Sequence, residues 1–145
     1  MAEQDRFAQA VQVVSRGLGR LSRERARGGD LTPQQAETLQ LVADRGVLST
    51  SALATLLGID SSTASRNLTG LEKAGMVQRK KGTDDGRQND VRLTPRGKRL
   101  AESAANKAVS SLGNVLESLP KADRAKVLEG FETLARALEA SATTK

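Results

Sequence analysis

The run Ser61-Ser62-Thr63-Ala64-Ser65-Arg66-Asn67 places four hydroxyls, a guanidinium and an amide within seven residues. That inventory suits hydrogen bonding rather than bond making. Small hydroxyls permit close approach to a surface of donors and acceptors, and a guanidinium fork fits O6 and N7 of guanine. On a helix at 100° per residue, Ser62, Ser65, Arg66, Thr69 and Lys73 share one side, while Ala64, Leu68 and Leu71 share the other. Ser62, Ser65 and Arg66 are therefore the candidates for base edges. Ser61, Thr63 and Asn67 lie toward the flanks of the polar face and suit phosphate or sugar. Taken alone, the segment is equally an amphipathic helix with a solvated polar side.

A second group follows at once. Arg79, Lys80, Lys81, Asp85, Arg87 and Arg92 surround a loop rich in Gly, Asp and Asn. The chain carries a net charge of +6, and its placement is informative. From Arg79 to Arg99 eight Arg or Lys face three Asp, whereas from Leu100 onward six of each sign cancel. A surplus held in one stretch is what a local phosphate-binding surface requires. Arg79, Lys80, Lys81 and Arg92 would line two strands beside a phosphate backbone. In Asp85-Gly86-Arg87 the carboxylate can brace the arginine at the tip of a turn, where it suits the negative potential of a narrow minor groove. A charged hairpin facing solvent would carry the same residues.

Other chemistry is poorly supplied. There is no Cys, which excludes disulfides, thiolate metal sites and thiol redox sensing, and no His, which removes the commonest general base and zinc ligand. Only scattered carboxylates remain, so an enzyme is the least supported reading, and no cofactor or metal is expected. No apolar run follows the charged N-terminus and none is long enough to span a membrane, so a cytoplasmic protein is expected.

These groups need elements to hold them. Asp60 is placed to cap a helix that Gly75 ends, and Ser49 or Thr50 can cap a shorter one that buries Leu53, Leu56 and Leu57 and stops at Gly58. Thr32-Pro33-Gln34-Gln35 marks an earlier start, with Ala36, Leu39, Val42 and Ala43 as its buried face and Gly46 as its end. Val47-Leu48 can add a small strand to a hairpin of Met76–Lys81 and Asp90–Thr94. Thr94-Pro95 opens another helix through Leu100, Ala104, Ala108, Leu112 and Leu116, and a last one begins near Pro120.

Two apolar stripes are left over. Phe7, Val11, Val14 and Leu18 recur along the first helix, and Leu128, Phe131, Leu134 and Leu138 along the last, with nothing local to cover them. Gly17 and Gly19 would mark a close helix crossing or a kink. The expected architecture is mainly α with a small β-hairpin: one domain over 1–145, a winged helix-turn-helix core at 32–97, and dimerisation helices at 4–27 and 100–140.

The run Leu71-Glu-Lys-Ala-Gly-Met-Val-Gln-Arg79, then Asp85-x-Arg87, then Val91-Arg-Leu-Thr-Pro-Arg-Gly97 resembles the signature of the MarR family of bacterial winged-helix regulators. The resemblance implies a homodimer joined through its first and last helices, with two winged domains on a pseudo-palindromic operator in double-stranded DNA. It also implies repression relieved by a small-molecule inducer, often an anionic phenol, or by oxidation. Lack of Cys removes the oxidation branch, lack of His counts against a zinc-responsive one, and few aromatic rings are present to line a phenol pocket. The expected function is a sequence-specific transcriptional regulator, a repressor before an activator. A sequence-neutral architectural DNA-binding protein and a winged-helix protein-interaction module remain as alternatives.

Overall fold

Four side chains decide where helices begin. In the computed structural model, which describes residues 2–81 and 89–143, Thr32, Ser49, Asp60 and Thr94 each accept a hydrogen bond from the backbone N–H three residues on. Each meets one of the orphan donors of a first turn. At Thr32 the bond is reciprocated by the Gln35 side chain, completing a capping box. The chain order is α1 (Glu3–Ala26), α2 (Pro33–Arg45), β1 (Leu48–Ser49), α3 (Thr50–Leu57), α4 (Ser61–Lys73), β2 (Val77–Lys81), β3 (Asn89–Leu93), α5 (Pro95–Ser118) and α6 (Lys121–Thr143).

The three strands form an antiparallel sheet in the order β1-β3-β2. Val91 is its hub, facing Leu48 on one side and Arg79 on the other. Leu39 and Val42 of α2, Leu53 of α3, Leu68 and Leu71 of α4, and Val77 and Val91 of the sheet are almost wholly buried together, with Ala101 of α5 closing the cluster. The core thus lies under the helix-turn-helix and its wing. Among the described residues, α1 and α6 contribute no buried side chain to it.

Several expectations are corrected in detail. Ala43 is exposed, and the core position on α2 is taken instead by Thr38. Thr38 can be buried because its hydroxyl donates to the Gln34 carbonyl at 2.8 Å, leaving no polar atom unpaired. Helix α1 runs without a break through Gly17 and Gly19, and a Cβ at Gly17 would meet nothing within 4 Å. No close crossing within the protomer therefore calls for a glycine there. Met76 belongs to a helix end rather than to a strand: its N–H donates to the Leu71 carbonyl and the Gly75 N–H to that of Glu72. This is a Schellman closure, with Gly75 at φ 76° and with Met76 and Leu71 both in the core.

Immediately beyond that closure three elements converge. The Thr94 hydroxyl donates to the Gly75 carbonyl at 2.6 Å and accepts the Gly97 N–H at 3.0 Å, while the Thr94 N–H donates to the Met76 carbonyl at 3.0 Å. Gly97 is buried against this turn, and a Cβ there would overlap the Met76 carbonyl oxygen. Because the obstacle is backbone, relief requires moving α5 away from the start of β2. Gly97→Ala is accordingly expected to destabilise the fold by about 1–3 kcal/mol. The check is the urea midpoint at fixed protein concentration; an unchanged midpoint would mean that α5 is not held tightly here.

Candidate nucleic-acid interface

The N-terminal turn of α4 is organised by Asp60. Its Oδ1 accepts the Ser62 hydroxyl at 2.6 Å and the Thr63 N–H at 2.7 Å, and its Oδ2 accepts the Thr63 hydroxyl at 2.9 Å. These bonds favour the ionised form, that from Ser62 most of all and then those from Thr63, and the nearby Arg66 charge adds to them. The carboxyl pKa falls from 3.8 to about 2. Arg66 in turn donates to the Thr63 hydroxyl at 3.2 Å. A cap read from sequence as a helix start is thus also the device that orients three of the candidate contact residues.

Of the recognition residues expected from sequence, Ser61, Ser62 and Arg66 are exposed and Thr63, Ser65 and Asn67 half-buried. All six lie on α4; Ser62 and Arg66 stand opposite the buried Ala64, Leu68 and Leu71, with Ser65 and Thr63 to either side and Ser61 and Asn67 at the margins of the buried face. Asn67 is tied across the fold, its Nδ2 donating to Gln34 Oε1 of α2 at 2.7 Å. Gln34 is 33 residues away, and its place beside a capping box gave no sign of this second use. It is a site residue that spacing could not reveal.

The hairpin does not bring its cations to one surface. Residues facing each other across an antiparallel pair share a face of the sheet. Arg79 opposes Val91 and Lys81 opposes Asn89 on the core side, whereas Lys80 opposes Asp90 and Arg92 opposes Gln78 on the other. Arg79 is moreover drawn back onto α4. Its side chain is only 17% exposed and donates to the Thr69 hydroxyl at 2.9 Å, Glu72 Oε1 at 3.1 Å, and the Ser65 carbonyl and hydroxyl at 3.4 Å each. The bond from Arg79 also holds the Glu72 carboxyl below the usual range. Arg79 therefore straps the wing to the outward side of α4. Asp85 and Arg87, the expected tip pair, lie outside the described residues.

The terminal helices show the surface their stripes foretold. Phe7 is 57% exposed, Phe131 46% and Leu138 60%; Val14, Leu18 and Leu128 are also exposed, and Val11 and Leu134 half-buried. Contiguous apolar surface of this kind usually marks an interaction site. Between α1, α2 and α5 lies a cleft of about 610 Å³ whose walls include Arg25, Leu31, Gln34, Leu100 and Lys107. No described helix is long and apolar enough to cross a membrane.

A two-helix turn whose second helix carries outward polar residues, followed by a hairpin that completes a three-stranded antiparallel sheet, defines a winged helix-turn-helix protein. Residues 31–88 match the MarR family. The uncharacterised HTH-type transcriptional regulator YfiV of Bacillus subtilis (strain 168) is 32% identical over 127 residues, which is 88% of this chain and 78% of that relative. A MarR family protein from Bacillus stearothermophilus superposes with a TM-score of 0.75 at 25% identity, covering 99% of both chains. A MarR variant from Escherichia coli, complexed with operator DNA, gives 0.74 at 20% identity over 88% of this chain and 92% of its own. The chain belongs to the MarR family of winged helix-turn-helix transcriptional regulators.

Asp60 makes the acid limb of stability testable. Because its folded value lies below the unfolded one, its bonds stabilise the fold above about pH 4 and are lost as the pH falls toward 2. Asp60→Ala is expected to flatten the stability curve between those values and to lower it uniformly at neutral pH. Chemical denaturation across that range would show it, and a mutant curve parallel to wild type throughout would exclude Asp60 as the titrating group.

Proposed function

We propose that two copies of this chain bind a pseudo-palindromic operator in double-stranded DNA and repress transcription from it. The observation that carries this reading is the outward band of α4, where Ser62, Ser65 and Arg66 stand away from the core beside a basic hairpin. In the major groove that band meets base edges, with Arg66 best matched to guanine. Ser61 and Asn67 contact phosphate or sugar, while Thr63, whose N–H and hydroxyl hydrogen both go to Asp60, steadies Arg66 instead. Lys80 and Arg92, which share one face of the sheet, follow the backbone, and Arg87 is assigned to the adjacent minor groove. Relatives support the reading: the E. coli variant was crystallised with its operator, and YfiV bears the name of a transcriptional regulator. The work is binding rather than catalysis, carried out in the bacterial cytoplasm on the nucleoid.

The second copy is needed to cover the stripes of α1 and α6. Joined there, two recognition helices meet half-sites roughly 34–36 Å apart. A small-molecule inducer lodged between α1, α2 and α5 changes that spacing only if it binds one arrangement better than the other. A sequence-neutral architectural protein would use the same charges without discrimination, and a protein-interaction module would bind no duplex even at low salt.

Arg66→Ala is expected to relax base preference by about 1–3 kcal/mol at one position in each half-site. Selection of bound duplexes from a random pool measures this; the same consensus from mutant and wild type would remove Arg66 from the reading set. Sedimentation should show a dimer at micromolar concentration, and a folded monomer there would refute the two-copy arrangement.

A further inference from the structure

We propose that Ser62 acts on DNA as a hydrogen-bond acceptor only, and so selects, on the strand it faces, a base that presents an exocyclic amine in the major groove, cytosine through N4 or adenine through N6, over guanine or thymine. The inference rests on α4 being the DNA-reading helix, and it adds the chemical polarity of one contact.

A serine hydroxyl has one hydrogen and two lone pairs, and a free one meets donors and acceptors alike. Ser62 is not free. Its Oγ lies 2.6 Å from Asp60 Oδ1, and an ionised carboxylate has no hydrogen to give, so the hydrogen in that bond is the serine's. Charge-assisted bonds to a carboxylate are the stronger kind, which disfavours exchanging this partner for a neutral base atom. Nor can Asp60 easily turn aside, since the Thr63 N–H and hydroxyl hold it in place as the cap of α4. Its low pKa keeps it ionised at any pH at which DNA is bound. Ser62 is left with lone pairs on an exposed side chain in the first turn of the helix.

Thr63 repeats the pattern, its hydrogen going to Oδ2 and a lone pair receiving Arg66. The Ser62 and Thr63 hydroxyls are therefore acceptors, with one guanidinium beside them. In the major groove the amines of cytosine and adenine are the base-pair donors, whereas N7, O6 and O4 are acceptors. Asp60 is thus a positioning residue: it acts on DNA through the hydroxyl it orients.

The test uses the full chain. Duplexes selected from a random pool give a consensus for wild type and for Ser62→Ala, and the pair whose preference disappears in the mutant is the Ser62 position. At that pair two probes are compared: a nucleoside lacking the exocyclic amine, and a 7-deazapurine lacking N7. Amine removal is expected to weaken wild type about 3–10-fold, the range of one neutral hydrogen bond, with less than a 2-fold effect on Ser62→Ala. The 7-deaza duplex should bind wild type unchanged. In Asp60→Asn the amide can donate to Ser62 and free its hydrogen, so discrimination by the amine should shrink while circular dichroism is retained. A Ser62 position recognised through N7, or a consensus with no Ser62-dependent pair, overturns this inference alone. A wild-type pool with no consensus at all overturns the DNA-reading function with it.

Discussion

The Met76 carbonyl oxygen accepts the Thr94 N–H and lies against the backbone of Gly97. Few contacts in the chain join so many elements. On one side it follows the Schellman turn that ends α4; on the other it begins β2, meets the end of β3 and fixes the first turn of α5. The Thr94 hydroxyl adds a bond to Gly75 and another from Gly97. Recognition helix, wing and the long helix leading to the terminal bundle are thereby held within two or three residues of one point. A rotation of α5 acts directly on this joint, and the side-chain packing around it, from Leu71, Met76, Val77 and Ala101, has little room to absorb a shift.

What was legible in the sequence follows from the range of each interaction. Caps act over three residues, and Thr32, Asp60 and Thr94 could each be read together with the N–H they bind. Glycine stops and the apolar stripes of α4 obey a period of 3.6 and were equally plain. Thr38 was missed because a hydroxyl in an apolar stripe looks misplaced until its bond to the Gln34 carbonyl is known. Asn67–Gln34 and Arg79–Glu72 were missed because their geometry is set by how helices and strands pack, over separations of 33 and 7 residues that follow no period. The hairpin shows the same limit. Its basic residues could be counted, but which face each occupies depends on a register that only the fit of Val77 and Val91 into the core decides.

The terminal helices pose a different problem. Together α1 and α6 span 47 residues yet bury nothing in the core. Gly17 and Gly19 lower the helix propensity of α1 further, by about 1 kcal/mol each against Ala. Helices of this sort draw their stability from tertiary cover rather than from their own backbone. Among the described residues α1 gains a side-chain bond to α5, from Arg25 to Ser111 at 3.3 Å, and α6 is anchored at its start by Arg124, which donates to the carbonyls of Glu117 and Leu119. If a second copy supplies the missing cover, folding of these helices and association are one equilibrium. DNA affinity then depends on protein concentration even where α4 and the wing are fully formed.

Charge counting alone would overstate the grip on DNA. Eight basic residues between Arg79 and Arg99 suggest as many phosphate contacts, but the structure withdraws some of them. Arg79, for one, has committed its donors to Ser65, Thr69 and Glu72. A cation already paired within the protein releases fewer counterions when it nears a phosphate, so the salt dependence of binding should report fewer contacts than the sequence contains cations. Where phosphate contacts are fewer, a larger share of the binding free energy has to come from base edges. Under the proposed reading, that shifts the burden onto the first turn of α4, where Asp60 has already oriented the Ser62 and Thr63 hydroxyls.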